Sequence, residues 1–372
     1  MNDTVITRAD PRIGQPVTTL DTPALLVDLD VVEKNIARIA DECRKHGVNW
    51  RPHIKGNKTI EIVRKEIAAG AIGVTCAKVG EAEVMADAGI KSMLIANQIV
   101  GAPKIARLVA LQDRAEVIVA VDSVANAAPI AKAAHAAKKV VPVVIELNVG
   151  MNRAGVVPGP AVVTLADAIA KMPGIKLVGV FAWESHAVGI ADPAEKRRVV
   201  HEALAKLTAS AEACRKAGHR IDIVSCGGSG TFPYCISAPG ITEVQMGGAI
   251  FSDVHYRTHY HLDFPAGLTV LASVTSRPTP ERIILDAGKK TMSSDGAVPT
   301  PIGLPPSKPT KLSAEHGTVE LEAPSETPAV GDKVEFVVGY GDTTVHLHEE
   351  IVATRGGRIE AVWRVAARGR IK

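Results

Sequence analysis

A lysine that ends a short extended run can place a nucleophilic amine at the mouth of a strand. Residues 50 to 58, Trp50-Arg-Pro-His-Ile-Lys-Gly-Asn-Lys58, have this form. Gly56 follows Lys55, and a helix-like segment starts near Asn57. An amine held there could form a Schiff base with a carbonyl group. Lys55 is also one of 43 Lys and Arg residues, so its surroundings must decide what it does. A second cluster, Cys226-Gly-Gly-Ser-Gly-Thr231, ends another extended run. Its glycines (Gly227, Gly228 and Gly230) let backbone N–H groups turn toward one anion, and Ser229 and Thr231 can add hydroxyl donors. Gly247 and Gly248 offer a second turn of the same kind.

These groups need a scaffold that brings them to one face. Strand candidates are 50–55, 73–77, 92–97, 116–121, 141–148, 176–183, 221–228 and 243–248. Alanine-rich helical candidates at 58–69, 79–89, 103–112, 123–138, 160–172 and 194–218 separate most of them. Eight strands joined by helices predict a parallel (β/α)8 barrel, with a doubly wound sheet as the alternative. A ninth strand, 24–29, falls outside the barrel; Asp30 is the expected N-cap of the helix after it, with Val31, Ile36, Ile39 and Cys43 as its apolar stripe. After Asp253 the pattern changes to short β-like segments (267–275, 282–286, 334–338, 358–363) between Pro and Gly turns, with no good helix. The expected division is an N-terminal segment, 1–23, packing with a β domain; a barrel, 24–260; and the C-terminal β domain, 261–372.

A barrel active site lies at the C-terminal strand ends. Here those ends carry Lys55, 76–78, Asn97 and Gln98, Asp122, 148–153, 183–186, 227–231 and Gly247-Gly248. The two glycine turns end the seventh and eighth strands, where barrels frequently bind phosphate. A phosphate cup and a lysine amine facing one mouth suit pyridoxal 5'-phosphate. A sugar-phosphate aldolase or isomerase is the competing use of the same parts.

Composition excludes other classes. With 43 basic and 40 acidic residues and only 3% aromatics, the chain has neither the charge nor the stacking surface for nucleic acid. No run of 18 uncharged apolar residues occurs, so no membrane helix is expected. Residues 1–8 contain no apolar core of a secretory signal. Cys43, Cys76, Cys214, Cys226 and Cys235 are odd in number, scattered and form no CxxC, as expected of reduced thiols in a cytoplasmic protein.

Arg51-Pro-His-Ile-Lys55, with Lys58 close behind, resembles the cofactor-lysine motif of the D-threonine aldolase and D-serine dehydratase group. These are alanine-racemase-like enzymes of pyridoxal phosphate fold type III, and D-3-hydroxyaspartate aldolases belong with them. The resemblance runs in order through Thr22 to Asp30, Lys78-Val-Gly-Glu-Ala-Glu83, Arg153-Ala-Gly155 and Val224 to Gly230. It continues through Glu243-Val-Gln-Met-Gly247, Asp286-Ala-Gly288, Glu315-His-Gly317 and Ala361-Val-Trp363. It implies a homodimer whose β domain closes the partner's site. It assigns the Schiff base to Lys55, places Arg153 near the cofactor's 3-hydroxyl and Gly228, Ser229, Gly230 and Gly247 near its phosphate. Thr231, Gly248 and Trp183 are further cofactor-binding candidates. His186, in Ala182-Trp-Glu-Ser-His186, matches a family histidine close to substrate and is the candidate general base.

The implied activity is cleavage of the Cα–Cβ bond of a D-β-hydroxy-α-amino acid, such as D-threonine or D-3-hydroxyaspartate, to glycine and an aldehyde. The sequence leaves the family pattern twice. Asn57 replaces the usual histidine two residues after the lysine. Near the C-terminus the metal motif, His-x-Asp or His-x-Cys, reads Tyr340-Gly-Asp342. Asp342 remains as a hard oxygen ligand for Mg²⁺ or Mn²⁺, whereas a neutral phenol is a poor one. His346 and His348, on one face of a strand, and His255, His259 and His261 are candidates to compensate. Two other reactions use the same parts: β-elimination to a 2-oxo acid and ammonia, and racemisation with Tyr340 as a second base opposite Lys55. A non-catalytic cofactor carrier is the reading from outside enzymology.

Overall fold

The computed structural model describes residues 10–372; residues 1–8, expected to carry no signal sequence, lie outside the described residues. The chain forms two compact units. One comprises 38–55, 62–247 and 369–372; the other comprises 10–37, 56–61 and 248–368. In this division the strand 24–29, expected outside the barrel, goes with the β unit, and so do 30–37, 56–61 and 248–260 from within the expected range 24–260.

β1 (Ala24–Asp28) belongs to the β unit. The barrel strands are β2 (Asn49–Trp50), β3 (Val74–Cys76), β4 (Ser92–Gln98), β5 (Glu116–Val121), β6 (Val141–Leu147), β7 (Ile175–Ala182), β8 (Ile223–Cys226) and β9 (Glu243–Val244). Their pairing is parallel throughout, in the order β2-β9-β8-β7-β6-β5-β4-β3. A parallel bridge between His53 and Thr75 joins the two ends of that order, so the sheet closes. Strands such as β5, Glu-Val-Ile-Val-Ala-Val, are buried in all but their first residue, as a barrel covered on both faces requires.

The connecting helices are α1 (Leu29–His46), α2 (Ile60–Ala68), α3 (Val79–Asp87), α4 (Ala102–Leu111), α5 (Val124–Ala136), α6 (Pro160–Ala170) and α7 (Pro193–Lys216), with a one-turn helix, α8 (Phe232–Cys235), before β9. Their starts follow local chemistry. Asp192 caps α7 by accepting the Glu195 N–H at 2.7 Å, with Pro193 as the first helical residue. At α1 the expected cap is displaced. Leu29 and Asp30 are already helical, and the Asp28 carboxylate accepts the Val31 N–H at 3.2 Å. The buried stripe starts at Leu29 and runs through Val32, Ile36, Ile39 and Cys43, leaving Val31 out.

The expected first strand, 50–55, is regular only at Asn49–Trp50. Pro52 has no N–H to give to a ladder, so the chain continues by alternation instead. Arg51 and His53 donate to Val244 O and Gln245 O, and Ile54 donates to Thr75 O on the other side. At this seam Arg51 Nε lies 3.1 Å and 3.2 Å from the two Glu243 oxygens, and the two side chains are 4% and 2% exposed. Removing one member of such a pair strands the other charge. Arg51→Met is therefore expected to cost about 3–5 kcal/mol, and Arg51→Met with Glu243→Leu to recover most of it. Urea unfolding of the two variants checks this.

The β unit contains β10 (Leu268–Thr279), β11 (Arg282–Leu285), β12 (Thr300–Pro301), β13 (Lys311–Leu312), β14 (Gly317–Glu320), β15 (Lys333–Val337), β16 (Glu350–Arg355) and β17 (Arg358–Arg364). β1 lies inside this sheet, antiparallel to β10 and parallel to β16. Leu20, Leu26, Leu271, Val352, Ile359 and Val362 pack together on it. The expectation of no helix after Asp253 fails at two points. Residues Val254–Thr258 form a short helix, α9, and Gly341–Thr344 form a helical turn, α10, which a 3-10 turn, Val345–Leu347, continues. Among the described residues no helix is long and apolar enough to cross a membrane.

Candidate active site

In the barrel unit, Lys55 follows a backbone pinned on both sides. The carbonyl of His53 packs so closely on Gly247 that a side chain there would collide with it, and would stand 2.8 Å from His53 C and 2.9 Å from its N. The second glycine turn is glycine because the lysine's own segment passes over it. Lys55 is exposed, and its backbone N–H lies 3.3 Å from His53 Nδ1.

The loop after β8 is held from behind by a residue that sequence reasoning passed over. Glu184 is fully buried. It accepts the Thr231 hydroxyl at 2.5 Å, the Cys235 thiol at 3.1 Å and the Gly227 N–H at 3.4 Å. Burial raises its carboxyl above the usual range, and the Thr231 and Cys235 hydrogen bonds oppose that. Gly227 sits at φ +81°, a left-handed conformation that favours glycine. Gly228 is overlain by the Trp183 ring, with which any side chain would collide. Thr231 differs from its expected role as an anion donor. Its hydroxyl bonds inward to Glu184 and accepts the Gly228 N–H at 3.2 Å. Ser229 is buried in the same loop. The only sign of Glu184 in the sequence is its place between Trp183 and His186.

Two further groups border this mouth. Glu146, at the end of β6, accepts Gln98 Nε2 at 2.5 Å and lies 3.5 Å from the Arg153 guanidinium. Burial raises the Glu146 carboxyl, with Gln98 and Arg153 opposing. Arg153 is thereby tethered to Glu146 while staying half exposed. The His186 ring lies across Gly150, where a Cβ would stand 2.7 Å from Cε1 and Nε2. Burial, and secondarily Lys206, hold the imidazole below its usual range, so it is neutral at neutral pH. Cys226 and Cys235 are buried free thiols pushed up by burial, as inert packing residues are.

In the β unit, the Tyr340 hydroxyl donates to Asp342 Oδ2 at 3.1 Å, and the Tyr256 hydroxyl stands 3.5 Å from Oδ1. A side chain at Gly56 would collide with Asp342 Oδ1, so this carboxylate rests on the residue that directly follows Lys55. Gly248 is likewise covered by the Tyr256 hydroxyl. Asp253, pushed up to about 7 by burial, accepts the Gly341 N–H at 2.5 Å and the Tyr256 N–H at 2.8 Å. Asn57 is buried, with Oδ1 accepting the Thr59 N–H at 3.2 Å.

The residues fit one implied group and not the other. For pyridoxal phosphate, the glycine turns offer backbone N–H groups suited to an anion. Among the described residues no backbone hydrogen bond uses the N–H of Gly230 or Gly247, both buried. For a divalent cation, no group of three or more His, Cys, Asp or Glu side chains that could hold the ion occurs among the described residues. Among the described residues the candidate compensating histidines form no group that could hold an ion. His346 and His348 do not alternate on a strand: His346 is in the 3-10 turn, and His348 Nε2 lies 2.8 Å from Thr291 O. His255 and His259 stack on each other at 4.9 Å, and His261 is exposed.

The sequence model of the family "Alanine racemase, N-terminal domain" matches residues 27–254, and that of a serine dehydratase domain matches 267–354. The chain is 33% identical to the D-threonine aldolase of Arthrobacter sp over 96% of this chain and 95% of that one. It is 34% identical to the 3-hydroxy-D-aspartate aldolase of Paracoccus denitrificans, over 96% and 94%. The crystal structure of D-threonine aldolase from Filomicrobium marinum superposes with a TM-score of 0.94 at 34% identity, covering 97% of this chain and 99% of that one.

Proposed function

The chain belongs to the alanine racemase-like family, and from that premise we propose that it is a pyridoxal phosphate-dependent lyase. It cleaves the Cα–Cβ bond of a D-β-hydroxy-α-amino acid of the D-threonine or D-3-hydroxyaspartate type, giving glycine and an aldehyde. The observation that carries this reading is the packing of the Lys55 segment on Gly247, because it joins the amine to the second glycine turn.

Lys55 would hold the cofactor by its aldehyde. The phosphate would take the N–H groups of Gly230 and Gly247 in the cup formed with Gly228 and Ser229. Arg153 would reach the 3-hydroxyl and Trp183 would flank the ring. When bound, the cofactor supplies a sink for the electron pair released at Cα. Thr231 and Glu184 keep the cup in shape. His186 is the base that accepts the β-hydroxyl proton, and its lowered pKa keeps it unprotonated for this task.

A base must be neutral to act. Activity is expected to rise with pH through the His186 pKa, below 6.5, and to be flat above it. His186→Ala is expected to lower kcat/KM by about 10²-fold and to remove that acidic limb. A pH–rate profile of both proteins checks this.

A homodimer fits the family resemblance, and a cytoplasmic location fits five free cysteines, all buried. The direct test of the activity supplies D-threonine, D-phenylserine and D-3-hydroxyaspartate, with and without Mg²⁺ or Mn²⁺. Acetaldehyde, benzaldehyde or glyoxylate is expected; none from any substrate sinks the reading. The match of 267–354 to a serine dehydratase domain supports elimination as the second reading. A 2-oxo acid released from D-serine, with no aldehyde from D-threonine, would select it.

A further inference from the structure

Where the family resemblance implies a cation, this chain has built something else. Tyr340 aims its hydroxyl at Asp342 Oδ2, and the Tyr256 hydroxyl faces Oδ1. Oδ1 also lies against Gly56, so the carboxylate has little room to turn away from the phenols. The Tyr340 ring is itself held, with His255 at 4.8 Å and Tyr256 at 5.9 Å between ring centroids. The other nearby carboxylate, Asp253, has backbone N–H groups on both oxygens. A divalent cation needs several lone-pair donors converging on one point. A phenol directed at Asp342 presents a proton there instead.

We propose that the Tyr340 hydroxyl takes the cation's place, so that the protein binds no Mg²⁺ or Mn²⁺ at Asp342 and works without one. The proton of Tyr340 gives Asp342 Oδ2 the positive partner that a metal would provide. A single residue, Tyr340, then separates this chain from the metal-binding pattern of its family. The consequence for activity rests on the lyase reading; the consequence for cation binding does not.

The test is an electron paramagnetic resonance titration of the purified holoenzyme with Mn²⁺. The wild-type protein is expected to leave the free Mn²⁺ signal undiminished. Tyr340→His is expected to bind one Mn²⁺ per chain, and Tyr340→His with Asp342→Asn to lose it. Cofactor absorbance and circular dichroism confirm that each variant is folded. One Mn²⁺ bound by the wild type and lost in Asp342→Asn overturns the proposal. So does a folded Tyr340→His that binds none, because Tyr340 would then not be what excludes the ion. In parallel, aldehyde release from D-threonine is expected to change by less than about twofold with EDTA; a loss of about tenfold or more, restored by Mn²⁺, also overturns it. If no aldehyde forms under any condition the lyase reading fails, while the Mn²⁺ titration still decides the inference.

Discussion

Lys55→Ala is expected to lower aldehyde release from D-threonine by about 10⁴-fold or more, the scale seen when a covalent catalytic group is removed. The loss should be accompanied by disappearance of the protein-bound Schiff-base absorbance, which separates it from misfolding. The neighbouring lysine provides the control. Lys58 sits at φ +51°, and its carbonyl accepts the Ala367 N–H at 3.0 Å. Lys58→Ala keeps that carbonyl and is expected to change activity by no more than a few-fold. Absorbance spectra and steady-state kinetics of the two variants, side by side, decide whether the amine at 55 is special.

Gly247→Ala is the second large effect. The added methyl would meet the His53 backbone, which cannot swing aside as a flexible side chain could. His53 N–H is already bonded to Gln245 O, and Ile54 N–H to Thr75 O, so relief has to come from a shift of the segment that carries Lys55. A displacement of about 1 Å at a reacting group can cost about 10²-fold, and damage to the phosphate cup adds to it, giving about 10²–10³-fold in cofactor-saturated activity. The measurement is activity against added pyridoxal phosphate. Weakened cofactor binding together with reduced activity at saturation is expected. A variant with wild-type cofactor affinity and rate would show that Gly247 belongs to neither cup nor lysine support. Gly159→Ala, at a loop glycine with nothing near its missing side chain, tests the positive φ (+99°) alone and should affect stability rather than cofactor.

Much of this arrangement was legible in the sequence because barrels repeat themselves. Most of the buried strands are short apolar runs, and α4, α6 and α7 each have a proline at their start, so the alternation can be counted. The seventh and eighth strand ends could then be found, and with them the glycine turns. Three features were not legible, each for a physical reason. Asp28 rather than Asp30 caps α1, because where β1 ends is set by its pairing with β10 and β16, far away in sequence. Glu184 carries no signal as a lone carboxylate in a loop; its meaning comes from burial among Thr231, Cys235 and Gly227. His346 and His348 alternate in number as residues of a strand do, but Thr343 and Thr344 bond back to the Tyr340 carbonyl, at 3.4 Å and 2.8 Å, and wind the segment into a turn. The departure at Tyr340 was visible as a changed letter. That its hydroxyl faces Asp342, and that Asp342 rests on Gly56, is set by packing between segments far apart in sequence.

The central claim is that Lys55 anchors the cofactor beside the two glycine turns. Borohydride reduction of the purified protein, followed by peptide mass mapping, tests it most directly. The account predicts a phosphopyridoxyl group on the peptide containing Lys55, with fragment ions assigning it to that residue and not to Lys58. A label on another lysine, or a protein that takes up the cofactor and yields no reduced adduct, would contradict it.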